Sequence, residues 1–357
     1  MSVRKNLNRL IPFMARRAHH ERNQQSAVRP ELVEGLTLKN YIDRIDLRRF
    51  RFWFQLSAFV LLVYGGRLAI DLGNSLPTFA CGYNKKATAG VCYLLPLQHQ
   101  LAQPWSQLFS LAGLTVLGGF AVFLLWFLVL NKAWCGFICP LGTIQDWITG
   151  LRKRFGLRYG SYSDEQFGKL TYIKYVLLLV LLFVPLLIGG RLLSHDWGTP
   201  YCQLCPARMI IPLFNGDVSQ WLIDFSSTGR MVLTALGMFI TGLFLMGSFL
   251  KKRFFCFFCP MSAFHYIFSK LSLFKLKKEG SKCTVCGDCY RVCDLQIKPI
   301  ADDVVKQDIL MDDCILCLKC VAACPEQGAL RVDVLGKTVF ESTKDGFAKR
   351  MGLEKPK

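Results

Sequence analysis

The chain has 357 residues, 52% of them hydrophobic, a formal net charge of +19 and a positive mean hydropathy. Length alone allows two or three soluble domains, but the apolar residues gather into long runs, which argues against a soluble core. No stacking aromatics interleave with a basic groove motif, so nucleic acid is a poor reading of the charge, and the first 50 residues lack the apolar stretch of a cleavable signal peptide.

In chain order, residues 1–50 read as a basic cytoplasmic tail. It ends in the amphipathic lead-in YIDRIDLRRFR (41–51), whose Arg44, Arg48, Arg49 and Arg51 are expected to face anionic headgroups. Residues 51–276 read as a membrane domain. Four runs, about 52–72, 108–130, 171–193 and 228–250, reach the roughly 20 residues that cross a bilayer. The first is weakest because it carries Arg67. Lysine and arginine sort by loop: 12 in 1–51, Lys85 and Lys86 in 73–107, six in 131–170, Arg208 alone in 194–227, and eight in 251–282. This alternation is the positive-inside pattern. It predicts a multi-pass protein of a prokaryotic cytoplasmic (inner) membrane with both termini in the cytoplasm.

The membrane region repeats itself. Cys139-Pro140 and Cys259-Pro260 lie 120 residues apart, and GGRL recurs at 65–68 and 189–192, followed closely by Asp71 and Asp196. Each copy holds two cysteines in its outer loop: Cys81 and Cys92, then Cys202 and Cys205. The expected architecture is four transmembrane helices in two parallel two-helix repeats, related by an axis along the membrane normal.

WCGFICP (134–140) and FFCFFCP (254–260) follow apolar runs. Proline is tolerated in the first turn of a helix, which puts the preceding cysteine at the N-cap. Each motif should therefore end a spanning helix and start an interfacial one. Helix N-termini favour thiolates, and the repeat axis can bring Cys135, Cys139, Cys256 and Cys259 together. They could share a metal site, serve as redox-active or partner-facing thiols, or simply pack. Cys81, Cys92, Cys202 and Cys205 could form disulfides within their loops or a second symmetric four-thiolate cluster. Arg67 and Arg191, near outer helix ends, and His99 and His195 are candidate quinone contacts; snorkelling to headgroups is the alternative for the arginines. No C-x-x-C-H is present, so the usual covalent haem motif is absent.

Residues 277–335 carry the strongest signal. Cys283-x2-Cys286-x2-Cys289-x3-Cys293 and Cys314-x2-Cys317-x2-Cys320-x3-Cys324-Pro325 fit the bacterial ferredoxin pattern, in which the fourth cysteine of each run serves the other cluster. One [4Fe–4S] cluster is therefore assigned to Cys283, Cys286, Cys289 and Cys324. The second is assigned to Cys314, Cys317, Cys320 and Cys293. Asp294 stands where proline usually follows. Structural zinc favours paired C-x2-C knuckles rather than runs of four. A module this small needs its metal for folding energy. Residues 336–357 form a tail.

Cys-Pro motifs at inner helix ends ahead of a two-cluster segment resemble the NapH/NosR-type membrane-bound 4Fe–4S ferredoxins, over about residues 50–335. The family pattern is a pair of C-x3-C-P motifs. Cys135 and Cys139 match it, whereas Cys256 and Cys259 are one residue closer, and no room exists for a flavin-bearing outer domain. The resemblance implies an electron carrier, or a quinol dehydrogenase component, between the quinol pool or a cytoplasmic donor and a partner oxidoreductase. Anaerobic respiration is the expected setting. A redox-sensing regulatory or metalloenzyme-maturation factor could use the same clusters. No catalytic acid–base or nucleophile set is visible.

Overall fold

A computed structural model describes residues 47–65, 92–157, 160, 164–305, 307–309 and 313–344. Arg67 and Cys81, two of the candidate residues, lie outside them.

The chain is mostly helical. The first described helix, α1 (Leu47–Tyr64), starts earlier than the apolar run 52–72 suggests. Its buried stripe explains this: Leu47, Arg51, Gln55, Phe59, Leu62 and Val63 recur at helical spacing, with two polar residues turned inward. Next come α2 (Leu94–Leu101), α3 (Leu111–Val129), α4 (Pro140–Arg154) and α5 (Asp164–Gly189). Two short helices, α6 (Pro200–Leu204) and α7 (Pro206–Leu213), precede α8 (Thr228–Leu250) and α9 (Pro260–Ile267). Ser227 caps α8 by accepting from the Arg230 amide at 3.3 Å.

Among the described residues, two helices are long and apolar enough to cross a membrane by length and composition, Leu170–Gly189 and Thr228–Leu250; a shorter apolar stretch runs over Leu111–Leu125. Large apolar side chains stand on their outer faces, among them Leu125, Val176, Phe183, Phe239 and Met246, each more than half exposed. The inner face of α8 is lined by small residues instead, including Gly229, Gly237, Thr241 and Gly247. Gly237 takes the backbone of α6 so closely that a Cβ there would meet the Gln203 carbonyl.

The C-terminal module is built on a three-stranded antiparallel sheet in the order β1 (Phe274–Lys278), β2 (Leu330–Val334), β3 (Lys337–Glu341), with Phe274 opposite Val334 and a bulge between Val332 and Asp333. Leu276, Leu330 and Val332 of the sheet pack with Ile300, Ala301, Ile309, Val321 and Ala329. A second cluster, Phe257, Leu295, Ile297 and Ile315, joins this module to the ends of the helical half. Each such side chain stabilises the contact by about 1.5–3 kcal/mol, so docking supplies core that so small a module lacks alone.

Candidate metal centre

The two cysteine runs fold alike. Val285 and Gly287 in the first and Leu316 and Leu318 in the second all have left-handed backbone, with φ of 54°, 79°, 48° and 60°. Three of the four are not glycine, one is β-branched, and such strain persists where a site over-determines it. One-turn helices follow at Asp288–Arg291 and Lys319–Ala323.

These turns gather the cysteines across the runs. Cys283, Cys286, Cys289 and Cys324 line one cavity of about 360 Å³, part of it open to solvent. Cys293, Cys314, Cys317 and Cys320 line another of about 400 Å³, walled by Leu295, Ile297 and Ile300. Burial pushes the Cys289 thiol up to about 11 and the Cys324 thiol up to about 11. Burial, followed by the neighbouring Cys317, pushes Cys293 up to about 12. Thiols protonated at neutral pH lose their protons to bound metal, so binding iron here is coupled to proton release. Four soft sulfur donors around an apolar cavity fit an iron–sulfur cluster. Lys278, 3% exposed, lines the first cavity and donates to the Ile300 and Ala301 carbonyls at 3.0 Å each.

Asp294, in the place where proline usually follows the fourth cysteine, is buried and ion-paired with Lys319 and, at 3.8 Å, with Lys252. Burial acts to raise its carboxyl, but the Lys319 cation outweighs it and holds the group below the usual carboxylate range. The departure from proline therefore has a use: it ties the second run to the segment ahead of Cys256.

The Cys-Pro motifs differ by one residue, and the backbone absorbs the difference. Trp134–Ile138 is a π-helical turn closed by the Cys139 amide donating to the Trp134 carbonyl at 2.9 Å. Phe254–Phe257 is a tighter 3-10 turn. Both deliver cysteine to an N-cap with proline at the first helical position: Cys139 on α4 and Cys259 on α9. Cys205 does the same on α7, where burial pushes its thiol up to about 11 against the opposing pull of the Ala207 and Arg208 amides. Cys139 has Cys256 and Cys259 as electrostatic neighbours, and Cys135 has Cys139 and Cys256. The structure thus brings the four inner cysteines into one neighbourhood.

A polar frame that the sequence did not suggest holds this neighbourhood. Arg253, 1% exposed and with left-handed backbone (φ 50°), donates to Asp146 at 2.9 Å and to the Cys135 carbonyl at 3.1 Å. Arg51 and Gln55 donate to the Gly136 carbonyl at 3.2 and 3.1 Å and to Asp146 at 3.2 and 2.9 Å. Arg51 therefore turns inward to a carboxylate rather than facing headgroups. Burial acts to raise the Asp146 carboxyl, but Arg253 and Arg51 outweigh it and hold it well below its usual range. Gln145 reaches the Cys256 sulfur at 3.8 Å while accepting from the Phe255 amide at 3.0 Å. The one acidic residue among the apolar positions of α4 was the available signal.

The second ferredoxin cavity abuts this frame. Cys135, Cys256, Cys293, Cys314 and Cys317 all pack against the cluster of Phe257, Leu295, Ile297 and Ile315. A Cβ on Gly136 would meet the Ile315 carbonyl and lie 3.2 Å from the Cys317 Cα.

Among the outer-loop candidates, Cys202 accepts from Gln98 at 3.4 Å and neighbours Cys92 and Cys205. No disulfide joins any two of the described cysteines. His99, Arg191 and His195 are exposed; Arg191 ends α5 in a left-handed turn (φ 58°) and Asp196 pairs with Ser194 at 3.0 Å.

Comparison with known proteins follows the same division. A family model described as a 4Fe-4S binding domain matches residues 112–158 and again 233–279, once over each Cys-Pro motif. One described as a 4Fe-4S dicluster domain matches residues 275–325. An uncharacterized protein of Methanocaldococcus jannaschii is 27% identical over 200 residues, 55% of this chain and 70% of its own length. The ferredoxin-type protein NapH of Haemophilus influenzae is 26% identical over 289 residues, 78% of this chain and 88% of its own. The methylamine utilization ferredoxin-type protein MauN of Methylorubrum extorquens is 26% identical over 190 residues, 51% and 54% respectively. No solved structure matches the chain. Fold and cysteine sites together define a ferredoxin-type iron–sulfur protein with apolar helices. The chain is similar to the NapH-type 4Fe–4S ferredoxins over most of its length.

Proposed function

We propose that this protein is a membrane-bound electron carrier that passes single electrons between a redox partner at the Cys283 side and the helical half, where a quinol or a partner oxidoreductase exchanges them. The observation that carries this reading is the packing of the Cys314–Cys317 loop directly on the Cys135 and Cys256 turns. The names of relatives such as NapH and MauN, both ferredoxin-type, support it.

In this reading Cys283, Cys286, Cys289 and Cys324 hold one [4Fe–4S] cluster and Cys293, Cys314, Cys317 and Cys320 a second. Cys135, Cys139, Cys256 and Cys259 hold a further iron–sulfur cluster. Such clusters, when bound, supply reversible one-electron transfer; the chain supplies distance, dryness and charge. Gly136 lets two backbones meet without a side chain between them. Phe257, Leu295, Ile297 and Ile315 keep water out of the junction. Asp294 with Lys252 and Lys319 fixes the alignment, and the Arg253–Asp146–Arg51 frame holds the π-turn. The exposed apolar faces of α3, α5 and α8 suit lipid, and four helices near the expected spans, with both termini cytoplasmic, complete the arrangement.

The test is anaerobic reduction of the purified protein by a quinol analogue or a low-potential donor, followed by EPR. A carrier takes up electrons at rates useful for respiration and gives them to an acceptor. Clusters that bind but exchange electrons with neither class of donor would sink this reading.

A further inference from the structure

We infer that Cys92, Cys202 and Cys205 form an additional thiolate site within the helical half, and that its ligand is an iron–sulfur cluster. The inference extends the electron path proposed above and rests on that reading for its purpose. Its evidence is separate, since the family matches cover none of these three cysteines.

One side chain holds the site together across the repeat. Gln98, 5% exposed, donates through Nε2 to the Cys202 sulfur at 3.4 Å, while its Oε1 accepts from the Tyr201 amide at 3.2 Å. Gln98 belongs to α2, which begins directly after Cys92; the Cys92 carbonyl accepts from the Leu95 amide at 3.0 Å. The same residue thus clamps α2 to α6. Cys202 lies within α6, and Cys205 is the one residue between α6 and α7, so the pair has the C-x2-C spacing that the ferredoxin half also uses. Cys92 and Cys205 both neighbour Cys202.

The site points into the protein. Cys205 and Cys139 pack on one cluster formed by Leu141, Ile144, Ala207 and Ile210. Cys92 and Cys139 pack on another formed by Leu94, Phe123 and Trp134. The cysteines predicted to face outward therefore stand beside the inner quartet, where three N-caps, Cys139, Cys205 and Cys259, meet. Among the described residues no three Cys, His, Asp or Glu side chains converge on a single-ion site, the ferredoxin quartets included. Three thiols with no histidine or carboxylate among them are a soft donor set that suits an iron–sulfur cluster.

The test uses the full chain, purified without oxygen, in two variants: Cys202→Ser with Cys205→Ser, and Cys139→Ser with Cys259→Ser. Iron, acid-labile sulfide and EPR spectra are read for each. The outer variant should lose about two to four irons, the content of one small cluster, together with one EPR component that the inner variant keeps. An outer variant with wild-type iron and an unchanged spectrum overturns the inference, and the inner variant reports separately on the electron path. A second measurement needs no mutation. After iron removal, the denatured wild-type chain is alkylated without reductant and analysed by mass spectrometry. Cys202 and Cys205 should both be modified; a disulfide at either one overturns the site.

Discussion

Lys174 and Asp313 form an ion pair at 2.6 Å with both side chains withdrawn from solvent, although 139 residues separate them. Thr171 adds a hydrogen bond to the same carboxylate at 3.2 Å. Lys174 lies on α5 and Asp313 directly precedes Cys314, so the pair fixes the second cysteine run to the helical half. A buried pair contributes little net stability, but removing one partner leaves an uncompensated charge.

Lys174→Met should therefore lower stability by about 3–5 kcal/mol. The double variant Lys174→Met with Asp313→Leu should recover most of that loss. Denaturant unfolding in detergent, read by tryptophan fluorescence and visible absorbance together, checks both. A single variant as stable as wild type would mean the pair does not hold the junction.

Gly136→Ala should act at the same junction through sterics alone. The added methyl meets the Ile315 carbonyl, and overpacking of this kind costs about 1–3 kcal/mol. The ferredoxin cysteines are untouched, so iron content should stay at the wild-type level while electron passage into the helical half slows. Rapid-mixing reduction, followed by freeze-quench EPR, measures it. Unchanged kinetics would place the electron route elsewhere.

Lys278→Met removes a buried cation from the wall of the Cys283 cavity. A reduced cluster carries one more negative charge, which Lys278 favours, so its loss should lower that cluster's midpoint potential. The size is on the order of 50 mV for one charge in a partly screened interior. Potentiometric titration monitored by EPR should show one cluster shifted downward and the other unmoved. A shift upward would contradict the placement of that charge.

Cys283→Ser and Cys314→Ser should each remove one cluster's worth of iron, about four atoms, because each run supplies three ligands to its own cluster. Each should also loosen the module, whose folding depends on metal. Iron analysis with circular dichroism tests this, and an iron content equal to wild type in either variant would refute the ligand sets.

Much of this was legible in the sequence because it rests on spacing. Cys-x2-Cys-x2-Cys-x3-Cys can do little else than grip iron, and proline after cysteine announces a helix start. The cross-run grouping of Cys324 with Cys283 follows from the same pattern and is how the cavities are lined. What spacing cannot carry is the direction in which polar residues turn. Arg51 reads as a headgroup anchor by periodicity, yet Asp146 draws it inward. Asp294 reads as a missing proline until Lys319 and Lys252 come into place from distant segments. Cys202 and Cys205 read as outer-loop residues because charge alternation reports sidedness, whereas depth depends on the close approach that Gly237 permits.

The most direct measurement is the iron and acid-labile sulfide content of the full-length protein, purified from membranes without oxygen, with EPR of its reduced form. More than about eight irons per chain, in several interacting EPR components, is the expected result, because the second ferredoxin quartet adjoins the Cys135 and Cys256 turns proposed to hold a further cluster. A well-folded protein whose iron stops at about eight, with spectra of two isolated clusters, would contradict a path of clusters through the helical half.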